Sequence, residues 1–115
     1  MLSIGTDIVK VDRIKSIYKD SKFINKVFTT SEVEYCNKHK EPYIHLSGKY
    51  AAKEAVKKAL LSAKIVKTIP LIDIEILNNR DKSPYIKLIN VNNIKCNVTV
   101  SHDGDYAIAF VIIEK

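Results

Sequence analysis

The chain has 115 residues, with nineteen Lys and Arg against thirteen Asp and Glu, and a formal net charge of +6. This length fits a single domain over residues 1–115, and a content of 46% hydrophobic and 28% charged residues excludes a disordered chain. No window approaches the ~20 apolar residues that span a bilayer, so we expect a cytoplasmic protein without a membrane partner. The distant pair Cys36 and Cys96 indicates reduced thiols, not a disulfide or zinc site. The basic charge favours a partner that carries phosphates or an acidic face.

The first half of the chain predicts one strand followed by short helices. The segment LSIGTDIVKV alternates with a period of two residues and places Asp7 on a partly apolar face. A buried, ionised Asp7 would need a cation or several donors, whereas the alternative is a residue that ends its strand and caps a turn. Asp12 is predicted to cap the next helix, and Ser31 with Glu34 three residues on predicts a capping box for another.

The second half predicts one long helix and four strands. The helix is expected over roughly Leu46 to Lys64, and alternating isoleucines followed by NNRDKSP and YIKLI predict a hairpin. Two further strands meet at HDGD, with His102 at the end of the first. The last strand is apolar at both its odd-numbered and its even-numbered positions, so both of its faces must be buried. Another copy of the chain is expected to bury the second face. We therefore predict an α+β fold in which an antiparallel sheet packs against a long helix.

The long helix contains the segment GKYAAKEAVKKAL, whose polar positions allow two interpretations. On a helical wheel Glu54 falls opposite the apolar sector, and Lys58 lies one turn later. A solvated ion pair worth ~0.2–0.5 kcal/mol is the simpler interpretation. Four lysines of this helix fit either a polyphosphate partner or mere solubility. They are Lys49, Lys53, Lys57 and Lys58.

Four ordered stretches resemble one known family. They are IGTDIVKVDRI, FINKVFTTSE, GKYAAKEAVKKAL and VTVSHDGDYAIAFVI, and together they run over nearly the whole chain. Their order and spacing resemble holo-acyl-carrier-protein synthase, the small class of 4'-phosphopantetheinyl transferase. The resemblance implies an Mg²⁺-dependent enzyme of fatty acid biosynthesis that moves the phosphopantetheine arm of coenzyme A onto a serine of apo acyl carrier protein. Adenosine 3',5'-bisphosphate would be released.

The resemblance also implies roles for particular residues. Asp7 and Glu54 match the residues that hold Mg²⁺, while Lys58 and His102 match catalytic residues beside the phosphates. The serine proton would pass either to a water on the metal or to a carboxylate such as Glu54. The residues expected to bind coenzyme A are Lys49, Lys58, Ser83, Pro84, Ser101 and His102. Those expected to dock the acidic helix of the carrier protein are Arg13, Lys22, Phe23 and Lys26.

Members of the resembled family are typically homotrimers with active sites between subunits. Asp7 and Glu54 would then belong to one subunit, while the next would hold part of coenzyme A. The sequence departs from the family at three places: Lys49-Tyr50 replaces Arg-Phe, Leu61 replaces a glycine, and Lys82-Ser83-Pro84 replaces Gly-Lys-Pro. The first departure affects ligand affinity, because lysine lacks the bidentate geometry of arginine. The other two concern loop conformation.

Two other function classes remain as alternatives to the enzyme. The basic charge alone would suit a small nucleic-acid-binding module, but the aromatic residues are scattered and no nucleic-acid recognition motif is present. A scaffold that binds the carrier protein without activity is disfavoured by the presence of both expected metal ligands. The sequence therefore favours a transferase without a nucleic acid partner.

Overall fold

A computed structural model describes residues 1–115 and contains one long helix, three short helices and five strands. A single 3₁₀ turn, Leu71–Asp73, precedes the second strand. The helices are α1 (Val11–Ile17), α2 (Ser21–Val27), α3 (Thr30–Asn37) and α4 (Pro42–Ser62). The strands are β1 (Leu2–Lys10), β2 (Ile74–Asn78), β3 (Pro84–Leu88), β4 (Lys95–Asp103) and β5 (Tyr106–Glu114). No helix has the length and apolar character needed to cross a membrane.

The larger sheet places β5 between β1 and β4, and both of its pairings are antiparallel. Asp7 pairs with Ala109 and His102 pairs with Ala107, so both polar residues share the face of the two alanines. The predicted hairpin forms a separate antiparallel pair, β2 with β3. The α+β prediction is therefore confirmed, and the sheet presents Asp7 and His102 on one side.

The core lies between this inner face and α4. The inward residues of β5, from Ala107 to Ile113, are at most 1% exposed. The predicted apolar stripe of α4 meets them, since Ala52, Ala55, Val56, Ala59 and Leu60 have no exposed surface. Alanine and glycine residues at this contact allow the helix and the sheet to approach closely.

Gly5 makes the closest approach between β1 and α4. A Cβ atom built on Gly5 would lie 2.0 Å from the carbonyl oxygen of Ala55. The backbones of β1 and α4 are thus in direct contact, and no other residue type fits this position without moving one of them. The contact holds Asp7, two residues further along β1, beside α4.

The outer face of the larger sheet is apolar and exposed in the single chain. Leu2, Ile4 and Ile8 of β1 are 60–65% exposed, and Phe110 and Ile108 of β5 are 41% and 44% exposed. The sequence prediction of a last strand with two apolar faces is confirmed. Such a contiguous patch is typical of a surface that binds another protein.

Two predicted helix caps are wrong. Asp12 lies in the first turn of α1, whose cap position is Lys10 and has no side-chain cap. The capping box of α3 is formed by Thr29 and Glu32 instead of Ser31 and Glu34. Both pairs have the same spacing, and burial of Glu32 decides between them because its carboxylate has a buried partner in α4.

The helix α4 begins at Pro42, before the predicted Leu46, because proline is well suited to the first turn of a helix. At its other end, Lys64 donates its N–H to Leu61 O (3.0 Å) and Ile65 donates to Leu60 O (3.1 Å). This pair of bonds is a Schellman motif, and Lys64 has the required positive φ of 58°. The position where glycine would fit is therefore 64, not 61 as the family comparison suggested.

Replacing Lys64 with glycine is expected to raise the free energy of unfolding by about 0.5–1 kcal/mol, because glycine adopts a left-handed conformation without steric cost. Urea denaturation measures this change. Lys67, which lies in the following exposed segment without a positive φ, provides the matched control, since glycine there only adds freedom to the unfolded chain. An equal loss of stability in both variants would contradict the prediction.

Candidate active site

Asp7 and Lys58 form an ion pair between β1 and α4. Lys58 Nζ donates to Asp7 Oδ1 at 2.9 Å and to Thr6 O at 3.1 Å. The Asp7 side chain is 16% exposed and that of Lys58 is 55% exposed. Asp7 therefore lies within the strand with a cation beside it, and the alternative of a turn-capping residue is wrong. The simple Glu54–Lys58 surface pair is also wrong, because the partner of Lys58 is Asp7.

Tyr50 is a buried phenol of α4 whose ionisation responds to the charges of Asp7 and Glu54. It lies one helical turn before Glu54 and is 8% exposed. Burial raises the pKa of the Tyr50 phenol, and the negative charges of Glu54 and Asp7 raise this pKa further, while Arg13 opposes them. Both carboxylates therefore act on the same phenol. Sequence reasoning gave Tyr50 no site role, although its spacing of four residues from Glu54 was a usable signal.

A cavity of about 330 Å³ opens between α3, α4, the β2–β3 hairpin and β4. Of the residues predicted to bind coenzyme A, it brings together Lys49, Pro84 and His102. Ser83 adjoins Pro84 but does not line the cavity, and its hydroxyl donates to Asp81 Oδ1 at 2.5 Å.

Lys49 lines this cavity, although it is only 6% exposed. Its Nζ donates to Ile76 O at 2.6 Å and to Asn78 Oδ1 at 2.5 Å, and it lies 4.8 Å from the centroid of the Tyr35 ring. Burial lowers the pKa of Lys49 because it removes water from the charged ammonium, and the nearby Glu32 and Glu75 carboxylates oppose this shift. An ammonium with three donors and two acceptors here can donate its third hydrogen to an anion.

Three histidines flank the same cavity. The rings of His39 and His45 stack with centroids 3.7 Å apart, and His45 lies 6.4 Å from His102. Burial lowers the pKa of His45, and the charges of His39, His102 and Lys49 lower it further. Only His102 was predicted, since no local pattern shows that the turn after α3, the helix α4 and the strand β4 converge.

Acidification is expected to destabilise the fold through His45. Its pKa in the folded state lies below the unfolded value of about 6.5. At pH values between the two pKa values, the unfolded chain therefore binds more protons than the folded one. This stability contribution is fully present above about pH 6.5 and is lost as the pH falls towards the folded pKa. Urea denaturation at about pH 7.5 and pH 5.5 measures the change, and His45→Gln should flatten it. If the stability of that variant differed between the two pH values as much as that of the wild type, the assignment to His45 would be wrong.

Of the residues predicted to bind coenzyme A, Lys58 and Ser101 lie apart from the cavity, and Lys53 does not line it either. Ser101 pairs with Ile108, so its side chain lies on the outer face of the sheet, opposite that of His102. Lys53 is fully buried and bonded to Glu32 at 2.8 Å, so it serves neither solubility nor a polyphosphate. Both interpretations of Lys53 as a solvent-facing cation are therefore wrong.

Two of the residues predicted to dock a carrier protein, Arg13 and Phe23, lie beside Tyr50. The Arg13 guanidinium carbon is 5.6 Å from the centroid of the Tyr50 ring, and the Phe23 ring centroid is 6.1 Å from it. Lys22 and Lys26 are exposed on α2. Helices α1 and α2 thus present basic and aromatic side chains next to the site of Asp7 and Glu54.

Comparison with known proteins identifies the family. Residues 3–111 match the model of the 4'-phosphopantetheinyl transferase superfamily. The chain belongs to this superfamily. It is 46% identical to a holo-[acyl-carrier-protein] synthase of Thermodesulfovibrio yellowstonii, with 96% of each chain covered. It is 38% identical to the enzyme of the same name from Protochlamydia amoebophila, again over 96% of each chain.

Solved structures of phosphopantetheinyl transferases show the same fold. A complex of a Helicobacter pylori holo-[acyl-carrier-protein] synthase with coenzyme A is 34% identical, with a TM-score of 0.83 and coverage of 96% of this chain and 99% of that one. A "Chronobacterium ammoniagenes" synthase in complex with coenzyme A is 25% identical, with a TM-score of 0.88 and coverage of 99% and 97%. These relatives give no support to a nucleic-acid-binding module.

One departure from the usual transferase sequence is resolved by the backbone. Lys82 stands where the family frequently has glycine, and it adopts a φ of 73°. Its N–H donates to Asn79 O at 2.9 Å, which closes the turn between β2 and β3. The phosphopantetheinyl transferase thus keeps the glycine-like conformation at this turn with a lysine.

The phosphopantetheinyl transferase contains no group of three His, Cys, Asp or Glu side chains arranged around a metal. Mg²⁺ does not need one, because it is usually bound through one or two carboxylates and completes its octahedron with water and substrate phosphates. Asp7 on β1 and Glu54 on α4, one helical turn before the Lys58 that bonds to Asp7, supply such a pair. The donor set fits magnesium.

Proposed function

We propose that this chain is a holo-acyl-carrier-protein synthase of fatty acid biosynthesis. It transfers the 4'-phosphopantetheine group of coenzyme A to a serine of apo acyl carrier protein. The observation that carries the proposal is the ion pair that joins Asp7 of β1 to Lys58 of α4, one helical turn after Glu54, in a chain with close relatives of that name. The cytoplasmic location of the enzyme stays a prediction.

Asp7 and Glu54 are proposed to hold Mg²⁺. When bound, the metal would neutralise charge on the pyrophosphate of coenzyme A and on the departing adenosine 3',5'-bisphosphate. The Lys58 ammonium, which is bonded to Asp7 and is 55% exposed, can turn to a phosphate oxygen without losing a buried contact. The site therefore joins two anionic ligands to one mobile cation.

The transfer is an in-line displacement at phosphorus. The serine oxygen forms a bond to the β-phosphorus of coenzyme A, and the bond from that phosphorus to the bridging oxygen breaks with its electron pair on the leaving group. Glu54 is proposed to assist removal of the serine proton. His102 and Lys49 are proposed to hold the phosphates and the nucleotide at the cavity, where Lys49 retains one free donor.

The carrier protein is proposed to dock on α1 and α2. Arg13, Lys22 and Lys26 supply positive charge for an acidic helix, and Phe23 supplies an apolar contact. Because Arg13 and Phe23 both contact Tyr50, a serine presented on this surface would enter beside Glu54. The net charge of +6 agrees with an acidic partner.

The active unit is proposed to be a homotrimer. The apolar outer face of β1 and β5 needs cover, and Ser101 on that face would reach coenzyme A only at a contact between subunits.

We expect light scattering to give three times the chain mass of 13.0 kDa, and Phe110→Asp to yield inactive monomers. Lys87→Asp, an exposed change on β3, is the matched control and should leave the trimer intact. A fully active monomeric wild type would contradict this assembly.

The experiment that tests the function is incubation of the protein with coenzyme A, Mg²⁺ and apo acyl carrier protein. Intact-mass spectrometry should show the carrier protein gaining one phosphopantetheine group, and peptide mapping should place the group on a serine. A carrier protein with that serine replaced by alanine is the control. If well-folded enzyme yields no adduct on a suitable carrier protein, the proposal is wrong.

A further inference from the structure

A buried ion pair connects α3 with α4 immediately beside the active site. Lys53 Nζ lies 2.8 Å from Glu32 Oε1, and both side chains are fully buried. The same Nζ donates to Leu71 O at 3.0 Å and to Ile74 O at 2.5 Å. All three donors of the ammonium are thus used, two of them on the chain that leads into β2.

Glu32 extends this connection to the cavity wall. Its Oε2 accepts the N–H of Ile76 at 2.8 Å, and its Oε1 also accepts the N–H of Thr29 at 2.8 Å. The carbonyl of the same Ile76 accepts the hydrogen bond from Lys49 Nζ. Ile76 of β2 is therefore hydrogen-bonded to Glu32 through its N–H and to Lys49 through its carbonyl oxygen.

The mechanism proposed above does not use Glu32 or Lys53. We infer that they form a positioning pair that fixes β2 against α4, so that Lys49 and the β2–β3 turn face the coenzyme A cavity. This inference rests on the proposed function, because the ligand of the cavity is taken to be coenzyme A. The pair makes three hydrogen bonds to residues 71 to 76 and Lys49 makes two more to Ile76 and Asn78, whereas β2 otherwise belongs only to a two-stranded sheet.

A buried ion pair by itself is a weak source of stability, because desolvation of both charges offsets their attraction. Apolar packing of similar volume would hold α3 and α4 together equally well. Hydrogen bonds from fixed charges are directional, however, and they define the register of Ile74 and Ile76 relative to α4. The pair therefore contributes to the geometry of the cavity more than to the net stability.

The test compares Glu32→Gln with the double variant Glu32→Gln, Lys53→Met. Removing both charges should restore most of the stability that the single change costs, since no unpaired charge stays buried. The affinity for coenzyme A, measured by calorimetry, should still fall about 10- to 100-fold in the double variant, the range typical of lost positioning contacts. The kcat at saturating coenzyme A should change by less than about threefold, because Asp7 and Glu54 are untouched.

Val111→Ala is the control, since it opens a cavity on β5 away from the hairpin. A Val111→Ala protein that loses as much stability as Glu32→Gln but keeps its affinity for coenzyme A would support the positioning role. A double variant that binds coenzyme A as tightly as the wild type would overturn it, as would an equal loss of affinity in Val111→Ala. Failure of the wild type to modify any carrier protein would instead refute the proposed function, so the two failures are distinct.

Discussion

Replacing Glu54 with glutamine is expected to lower kcat/KM for carrier-protein modification by about 10²–10³-fold, comparable with losing one electrostatic contact to a transition state. Glutamine keeps the size of the side chain but removes the charge that would bind Mg²⁺. Asp7→Asn should have a similar effect and would also leave Lys58 without its partner. Neither change should alter the fold, because Glu54 is partly exposed and the Asp7–Lys58 pair is open to solvent.

Steady-state kinetics over a range of Mg²⁺ concentrations measures this effect. Both variants should need more Mg²⁺ for half-maximal rate, and removal of the metal with a chelator should abolish the activity of the wild type. Glu34→Gln is the matched control, since Glu34 is an exposed helical glutamate on α3. A near-normal rate in either variant would remove that residue from the metal site.

Gly5→Ala is expected to destabilise the protein by more than about 2 kcal/mol and to reduce activity in the fraction that folds. The added Cβ would lie 2.0 Å from the Ala55 carbonyl oxygen, and a backbone atom within a packed helix cannot yield as a side chain can. Relief requires β1 to move away from α4. That movement would separate Asp7 from Lys58 and Glu54, since these residues lie on opposite sides of the contact.

Thermal unfolding and kinetics of the refolded fraction measure the two effects of Gly5→Ala. Gly48→Ala is the control for stability, because its Cβ would meet only the Cγ1 atom of Val100, at 2.9 Å. The Val100 side chain can shift, and alanine favours a helix by about 1 kcal/mol over glycine, so this variant should stay close to wild-type stability. Equal stability of the two variants would show that the strand and the helix are not in rigid contact.

Short-range sequence patterns predicted most of the strands and the long helix well. The period of two residues in β1 and β5, and the apolar sector of α4, follow from one face meeting the core. The exposed face of β5 was also predictable, since Ile108 and Phe110 alternate with buried alanines. The caps were not, because Thr29–Glu32 and Ser31–Glu34 are equivalent in sequence and only the position of Lys53 in three dimensions separates them.

The candidate site was predicted in part. Family resemblance pointed to Asp7, Glu54, Lys58 and His102, and the fold places them on one side of the larger sheet and the adjoining helix. Tyr50 and the His39–His45 stack were missed, because their roles depend on contacts between distant elements. The burial of Lys53 was missed for the same reason, since a lysine between an alanine and a glutamate is ordinarily exposed.

The adjacency of Lys53 and Glu54 has a consequence for the rotation of α4 about its own axis. Successive residues of a helix point about 100° apart, so the Lys53 side chain is enclosed in the core while Glu54 is partly exposed. A small rotation that moved Glu54 would also draw the Lys53 ammonium away from its three oxygen partners, one on the Glu32 carboxylate and two on backbone carbonyls. Losing these bonds would be costly, so the helix is restricted to one rotation about its axis. The position of Glu54, the presumed metal ligand, is thereby specified by Lys53.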